Sequence, residues 1–298
     1  MKSSFSSFLL LFRKKNKLTQ EKMVSFIQSE STLFPRLDSV TVSRWENDIT
    51  SPSFTKKVEL LLIIGTDLKK VIQSIVKPPN NIQKYNKCPK DYYTDQNNED
   101  VLTVENLTFE NIDSISTLKS ELDFIFEYEK LSVDFEFEKN NVGKLHGFFK
   151  KFNLNITIYK SNGRLVGHLI SSQLDSNTHW SIINRETSFS NIYKNNKIDC
   201  NSGANNNLLI IGLHCGNSIV FERVFGQLLE EFIFNQDLNG NLSCITKKRD
   251  VANSLLRVGL STHTQSGIYT ISNHDAKHSK SILEIVSYTH LKRINTQV

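Results

Sequence analysis

Three stretches of this chain bring hydrogen-bonding or reactive side chains close together. The run Asp38-Ser-Val-Thr-Val-Ser-Arg-Trp-Glu-Asn-Asp48 carries one guanidinium, several hydroxyls and small branched apolar groups. These are groups that read base-pair edges. Arginine forks onto guanine O6 and N7, hydroxyls bond to either kind of edge, and apolar side chains meet the thymine methyl. His214-Cys215, just before an expected helix start at Ser218, suggests a nucleophile beside its base. Neighbours on a strand point to opposite faces, however, which makes direct pairing awkward. His274 and His278 are four apart, but in a polar stretch with Asp275 and Lys277 and no third ligand beside them. No catalytic or metal-ligating residue is assigned on these grounds.

The elements that must position the first run are helical. Residues 6–15 read as a helix ending in basic residues. Thr19 is a good N-cap for a second helix, with Gln20 and Glu21 in its first turn and Met23, Phe26 and Ile27 at helical spacing. Ser29 to Leu37 contains Pro35 and breaks it. Asp38 or Ser39 then caps a short helix with Val42 and Trp45 inward. Ser51-Pro-Ser53 opens another, with Val58, Leu61, Leu62 and Ile64 on its apolar face and Gly65 as its stop, and Asp67 to Val76 adds one more.

Charge is unevenly placed. Residues 1–76 hold 12 Lys and Arg against 7 Asp and Glu, residues 77–100 hold 4 and 4, and residues 101–298 hold 20 and 20. The net +5 therefore sits on the N-terminal segment, as expected if that segment meets phosphate. No apolar run approaches the roughly 20 residues that span a bilayer. Arg13-Lys-Lys15 follows the short apolar stretch Phe8–Phe12, the reverse of a signal peptide, so a cytoplasmic location is expected and no membrane partner. Cys88, Cys200, Cys215 and Cys244 are scattered and read as buried free thiols.

The N-terminal segment resembles the Cro/repressor-type (XRE) helix-turn-helix family. The likeness runs through Leu18-Thr-Gln-Glu21, Val42-Ser-Arg-Trp-Glu-Asn47 and Ser51-Pro-Ser53, and covers about residues 6–70. It implies an all-α domain whose second paired helix enters the major groove. Ser39, Val40, Ser43 and Arg44 then face base edges. Gln20 meets a phosphate at a helix N-terminus, and Asn47 with Lys14 or Lys15 adds backbone contacts. Arg13 and Glu46 are the implied structural ion pair. The implied partner is double-stranded DNA, bound by a homodimer at two half-sites, with a nucleoid-associated location. One departure is the stretch Ser29–Leu37, longer than the family's tight turn, where the first helix extends or a loop bulges and Arg36 either adds a phosphate contact or disturbs the docking angle.

Lys77 to Asp100, with three prolines and five asparagines, reads as a linker. From Val101 the pattern is strand 101–104, a helix capped by Thr108 through Ile112, Ile115 and Leu118, and an aromatic-rich helical region 122–149. A hairpin 155–170 turning at Asn162-Gly163 follows, then a loop-rich stretch 175–207. Strand 208–213, helix 218–235, strand 242–245, a helix 249–258 stopped by Gly259, and strands near 267–272 and 281–289 complete it. Glu127, Glu129, Asp134, Glu136 and Glu138 read as a solvated acidic face or loop.

That order resembles the GNAT fold of N-acetyltransferases, α/β (α+β) with a splayed, mixed, mostly antiparallel sheet that binds acyl-CoA. Local likenesses are Leu102–Asp113 and Arg249–Leu260. The family's pyrophosphate loop needs small residues, yet the matching positions hold Arg223 and Phe225, with Glu222 beside them and Gly216 and Gly226 off the spacing. Leu255 stands where the resemblance puts a general-acid tyrosine. The expectation is a helix-turn-helix domain (1–76), a linker (77–100) and a GNAT-like domain (101–298) for ligand sensing or dimerisation. Acyl-CoA is disfavoured as cofactor, and the ligand site in the second domain has no assigned residues. The alternative is a DNA-tethered, acyl-CoA-dependent N-acyltransferase.

Overall fold

Short helices persist when their end groups are satisfied, and the N-terminal segment supplies a cap for nearly every one. In a computed structural model, α1 (Phe5–Lys15) starts with Ser4 Oγ accepting from Ser7 N, and α2 (Gln20–Glu30) with Thr19 Oγ1 accepting from Lys22 N. Asp38 caps α3 (Ser39–Glu46) through Thr41 N at 2.6 Å. Then come α4 (Phe54–Ile63), a stop at Gly65 with φ +73°, and α5 (Leu68–Ile75) capped by Asp67. Leu9, Met23, Ile27, Val42, Val58 and Leu61 are fully buried and form the core of this bundle. The structure describes residues 4–80, 83–85, 102–108, 110–111, 119–129, 147, 149–189, 191–192, 206–264 and 267–296.

The rest of the chain builds a mixed sheet. Its elements are β1 (Leu102–Leu107), α6 (Lys119–Glu129), β2 (Leu154–Ser161), β3 (Arg164–Leu174), α7 (Ser176–Ile183), β4 (Asn207–Cys215), α8 (Ser218–Phe234) and β5 (Asn241–Ile245). After these run α9 (Arg249–Val258), β6 (Ser261–Thr262), β7 (Ile268–Ser272), α10 (Asn273–His278) and α11 (Lys280–Thr296). The seven strands lie in the order β1-β2-β3-β4-β5-β7-β6, antiparallel except for β4 beside β5. Asn162 (φ +51°) and Gly163 (φ +74°) make the tight turn between β2 and β3, where both central positions need positive φ.

Two irregularities shape the sheet. Ile170 lies opposite Gly212 and Ser171 opposite Ile210, so Ile211 is an extra residue in β4, a bulge. β4 pairs with β5 only over Leu208–Ile210, so its second half parts from β5 and the sheet splits there. On one face Ile156, Ile158, Ile170, Leu209 and Ile211 pack with Leu122 and Ile125 of α6 and with Ile182 and Ile183 of α7. Val220 of α8 lies against Gly167 on the other face, where a Cβ would approach within 2.4 Å.

Several expectations are corrected. The stretch 175–207, read as loop-rich, opens with α7, capped by Asp175 through Asn177 N and Thr178 N. The strand expected at 281–289 is helix: Ile282, Leu283, Ile285, Val286 and Thr289 are buried at helical spacing, and the four β-branched residues among them hid it. Residues 275–298 group with 1–80 in one compact unit and 81–274 form the other, so the second domain does not run from 101 to 298. In the helical unit α11 packs on α5, and His278 Nε2 pairs with Glu59 at 2.8 Å. Within 77–100, Tyr85 is buried and Lys84 O accepts from Arg257 Nη1, so that part is packed chain. The expected helix through Ile112, Ile115 and Leu118, the whole of region 130–146, Cys88 and Cys200 lie outside the described residues, and with that region Asp134, Glu136 and Glu138. No described helix is long and apolar enough to cross a membrane.

Candidate nucleic-acid interface and a buried polar cluster

In the helical unit α3 has two unlike faces. Val42, Trp45 and Glu46 point inward, and the Trp45 ring meets Phe5 and Phe34 edge-on at centroid distances of 6.4 and 6.5 Å. Val40, Arg44 and Asn47 are exposed at positions i, i+4 and i+7, one stripe along the helix, with Val40 57% exposed. Ser39 and Ser43 flank that stripe half-buried. Among the described residues none makes a hydrogen bond or ion pair with the Arg44 guanidinium; its charge is felt at Asp38, whose carboxyl is held low first by its bonds to Thr41 and then by Arg44. Asn47 Nδ2 donates to Ser43 O at 2.8 Å and closes the helix end. Lys14 and Lys15 are exposed at the end of α1.

One carboxylate joins three helices. Arg13 Nε and Nη2 donate to Glu46 Oε1 (2.5 Å) and Oε2 (2.9 Å), and Arg13 Nη1 donates to Leu18 O. The bond to Glu46 raises the Arg13 pKa against the opposing effect of burial. Gln20, read as a phosphate contact, donates from its amide to Glu46 Oε2 at 3.0 Å. A carboxamide nitrogen carries two hydrogens, so the second N–H remains available while Glu46 fixes the group's orientation.

The long stretch before α3 is tied down. α2 continues to Glu30, and Gln28 Nε2 donates to both Phe34 O (3.3 Å) and Leu37 O (3.1 Å). Phe34 is 2% exposed and fills the space beside Trp45. Sequence reasoning missed its role; the signal was a lone aromatic inside a polar loop. Arg36 is exposed on this stretch.

In the sheet unit the polar groups turn inward. Glu129, read as part of a solvated acidic run, is 5% exposed at the end of α6, and only Glu127 of that pair is open to solvent. Glu129 Oε1 accepts from His168 Nε2 on β3 and from Lys248 Nζ just beyond β5, each at 2.7 Å. Gly212 leaves room for it: a Cβ there would come within 2.9 Å of Glu129 Cγ. Lys248 Nζ also lies 3.6 Å from the Tyr128 ring centre, and Tyr128 Oη bonds His214 Nδ1 at 2.9 Å. The Glu129–Lys248 pair thus ties α6, which lies against Gly212 of β4, to the segment just beyond β5, across the split.

Burial alone would lift the Glu129 carboxyl, but its partners outweigh that and hold it below the usual range. Burial lowers the pKa of His168, and of His214 to about 4, so both rings are neutral at pH 7. A neutral His168 donating from Nε2 leaves Nδ1 a bare acceptor, consistent with its having no partner. His179 of α7 follows the same pattern: Nε2 meets Ser243 Oγ at 3.1 Å, Nδ1 has no partner, and burial brings its pKa to about 4. His214 faces Tyr128, while Cys215, next on the strand, is buried, and the two do not form a nucleophile and base.

The residues where acyl-CoA would be held do not fit it. Asn217 Oδ1 accepts from Val220 N at 2.8 Å and closes the N-terminus of α8. Phe225 is buried where the GNAT resemblance would need a small residue, and Leu255, where that resemblance would put a general acid, is fully buried and apolar. In comparisons with known proteins, no family model, curated protein or solved structure matches the chain.

Proposed function

We propose that the protein is a sequence-specific DNA-binding regulator of transcription. The helical unit acts as a Cro/repressor-type helix-turn-helix, with α3 in the major groove. Arg44 reads guanine, Val40 packs on a thymine methyl, and Ser39 and Ser43 touch whichever edge the docking angle brings near. Asn47, Gln20, Lys14 and Lys15 contact phosphates. The observation that carries this reading is the stripe Val40–Arg44–Asn47, exposed on a helix whose other face is locked through Glu46 to Arg13 and Gln20. An unpaired guanidinium on a fixed helix is preorganised for a bidentate contact. The positive excess of residues 1–76 supports the same assignment. A single such domain buries little surface, so the regulator acts as a homodimer on two half-sites.

The sheet unit serves this regulator as a GNAT-like domain for ligand sensing or dimerisation. Its element order and its split between β4 and β5 support that likeness. The bridged split, the Asn217 cap and Leu255 argue against acyl transfer, so no step through acyl-CoA follows.

The test is fluorescence anisotropy of the whole chain with labelled duplexes across a salt series. The logarithm of the binding constant is expected to fall steeply and linearly with the logarithm of salt concentration, as phosphate contacts release counterions. Absence of salt-sensitive binding to any duplex removes the reading.

A further inference from the structure

On the face of the sheet away from Glu129, a groove of about 530 Å³ runs between β2 and β3 on one side and α8 on the other. A strand face covered by a helix is ordinarily apolar, because hydroxyls buried there lose water. Here Thr157 and Ser171 line the groove, each only 8% exposed, and no described residue bonds either hydroxyl. Leaving such groups unmet costs more than replacing them by methyls. Both hydroxyls open into the groove, so whatever fills it, water or a ligand that displaces water, is their partner. The groove volume is in the range of small-molecule sites.

The rest of the lining narrows the chemistry. Leu169, Leu208 and Val224 give an apolar floor. Gln227 faces the groove from α8, its Oε1 accepting from Tyr159 Oη at 3.4 Å, which leaves its N–H groups to donate. Glu231, one turn further along α8, lines the groove; although the residue as a whole is exposed, partial desolvation of its carboxyl lifts it above the usual range, and no described cation offsets this. A lining of hydroxyls and carboxamides over an aliphatic floor, with one carboxylate and no cation, offers an anion no positive charge. Groups that both donate and accept match hydroxyls, which do the same, and a carboxylate accepts a pair of neighbouring O–H donors. Apolar patches suit the C–H faces of a ring.

We infer that this groove binds a neutral polyhydroxylated ligand the size of a mono- or disaccharide, gripped by Thr157, Ser171, Gln227 and Glu231. This deepens the proposed function and rests on its ligand-sensing part for the consequence of binding, though not for the binding itself.

The test titrates the whole chain with glucose, N-acetylglucosamine and trehalose, followed by saturation-transfer NMR and calorimetry, with putrescine and inorganic phosphate as comparators. At least one sugar is expected to bind, and Thr157→Val and Glu231→Gln are each expected to weaken it about tenfold, the loss of one good hydrogen bond to a polar ligand. Thr157→Val keeps the side-chain shape and should melt no lower than the parent, so a fold defect is distinguishable. Arg44→Ala should bind sugar like the parent. If no sugar binds, if the diamine or phosphate binds in their place, or if both groove variants bind like the parent, the inference is overturned. Anisotropy with a labelled duplex, with and without sugar, separates the two readings. Sugar binding that leaves DNA affinity unchanged keeps the site and removes the sensing role.

Discussion

The two units place their charged groups in opposite ways. In the helical unit a buried carboxylate, Glu46, holds three helices so that Arg44 can face outward without a partner. In the sheet unit Glu129 and Lys248 spend their charges on each other, and His168 donates to the same carboxylate, tying α6 to β3 and to the segment beyond β5. The difference teaches how to sort polar residues. A charged side chain left free on a rigid, well-capped helix is positioned for a partner outside the chain. A cluster whose charges are paired within the chain supports the fold and leaves little for chemistry.

The largest expected effect breaks the first half of that comparison. Glu46→Ala leaves Arg13 largely buried without its counter-ion and should destabilise the helical unit by about 3 kcal/mol. Denaturant unfolding followed by circular dichroism measures this, and duplex binding should fail over the same range. Glu129→Ala, by contrast, should destabilise the sheet unit by a similar amount through the stranded Lys248 and leave duplex affinity near that of the parent under native conditions. Loss of DNA binding in a still-folded Glu129→Ala protein would undo the division of labour.

The next effect is in the pH dependence. His179 and His214 have folded pKa values near 4, below the ordinary value of 6.5. As pH falls from about 6.5 to 4 the unfolded chain takes up protons that the folded chain refuses, so stability is lost across that window and is fully present above it. For fully buried His179 the loss is on the order of 3 kcal/mol. Unfolding midpoints measured from pH 7.5 to 4 should decline, and His179→Gln should flatten the decline. An unchanged slope in that variant would assign the acid sensitivity elsewhere.

How much was legible in the sequence follows from the reach of each interaction. Thr19 and Asp38 are caps that act within one turn, and Val42 and Trp45 repeat at a helix period, so a short window suffices to read them. The Asn162-Gly163 turn is as local. Helix α11 was misread because Ile282, Ile285, Val286 and Thr289 favour strands by type while their spacing is helical; packing decided for the spacing. Asp175, a strong cap, announced α7, but Thr178, Trp180 and two isoleucines masked it. The Glu129 cluster joins residues 39 and 119 positions apart, beyond any periodicity. Its trace was Gly212 within the apolar run Leu208–Leu213, since glycine inside a strand marks a bulge or a close approach. For the interface, the residue types carried the expectation, and what only coordinates supplied was which of them face outward: Val40, Arg44 and Asn47 do, while Ser39 and Ser43 stand half-covered.

The smallest effect in energy tests the central claim most directly. The whole chain and its Arg44→Ala variant are each used to select duplexes from a random pool, and affinities for the winning sequence are then measured at one salt concentration. The parent should enrich a two-fold symmetric site, and the variant should bind it about 1–3 kcal/mol more weakly and lose preference at one guanine in each half. A variant that enriches the same sequence with the same affinity would contradict the placement of α3 in the groove.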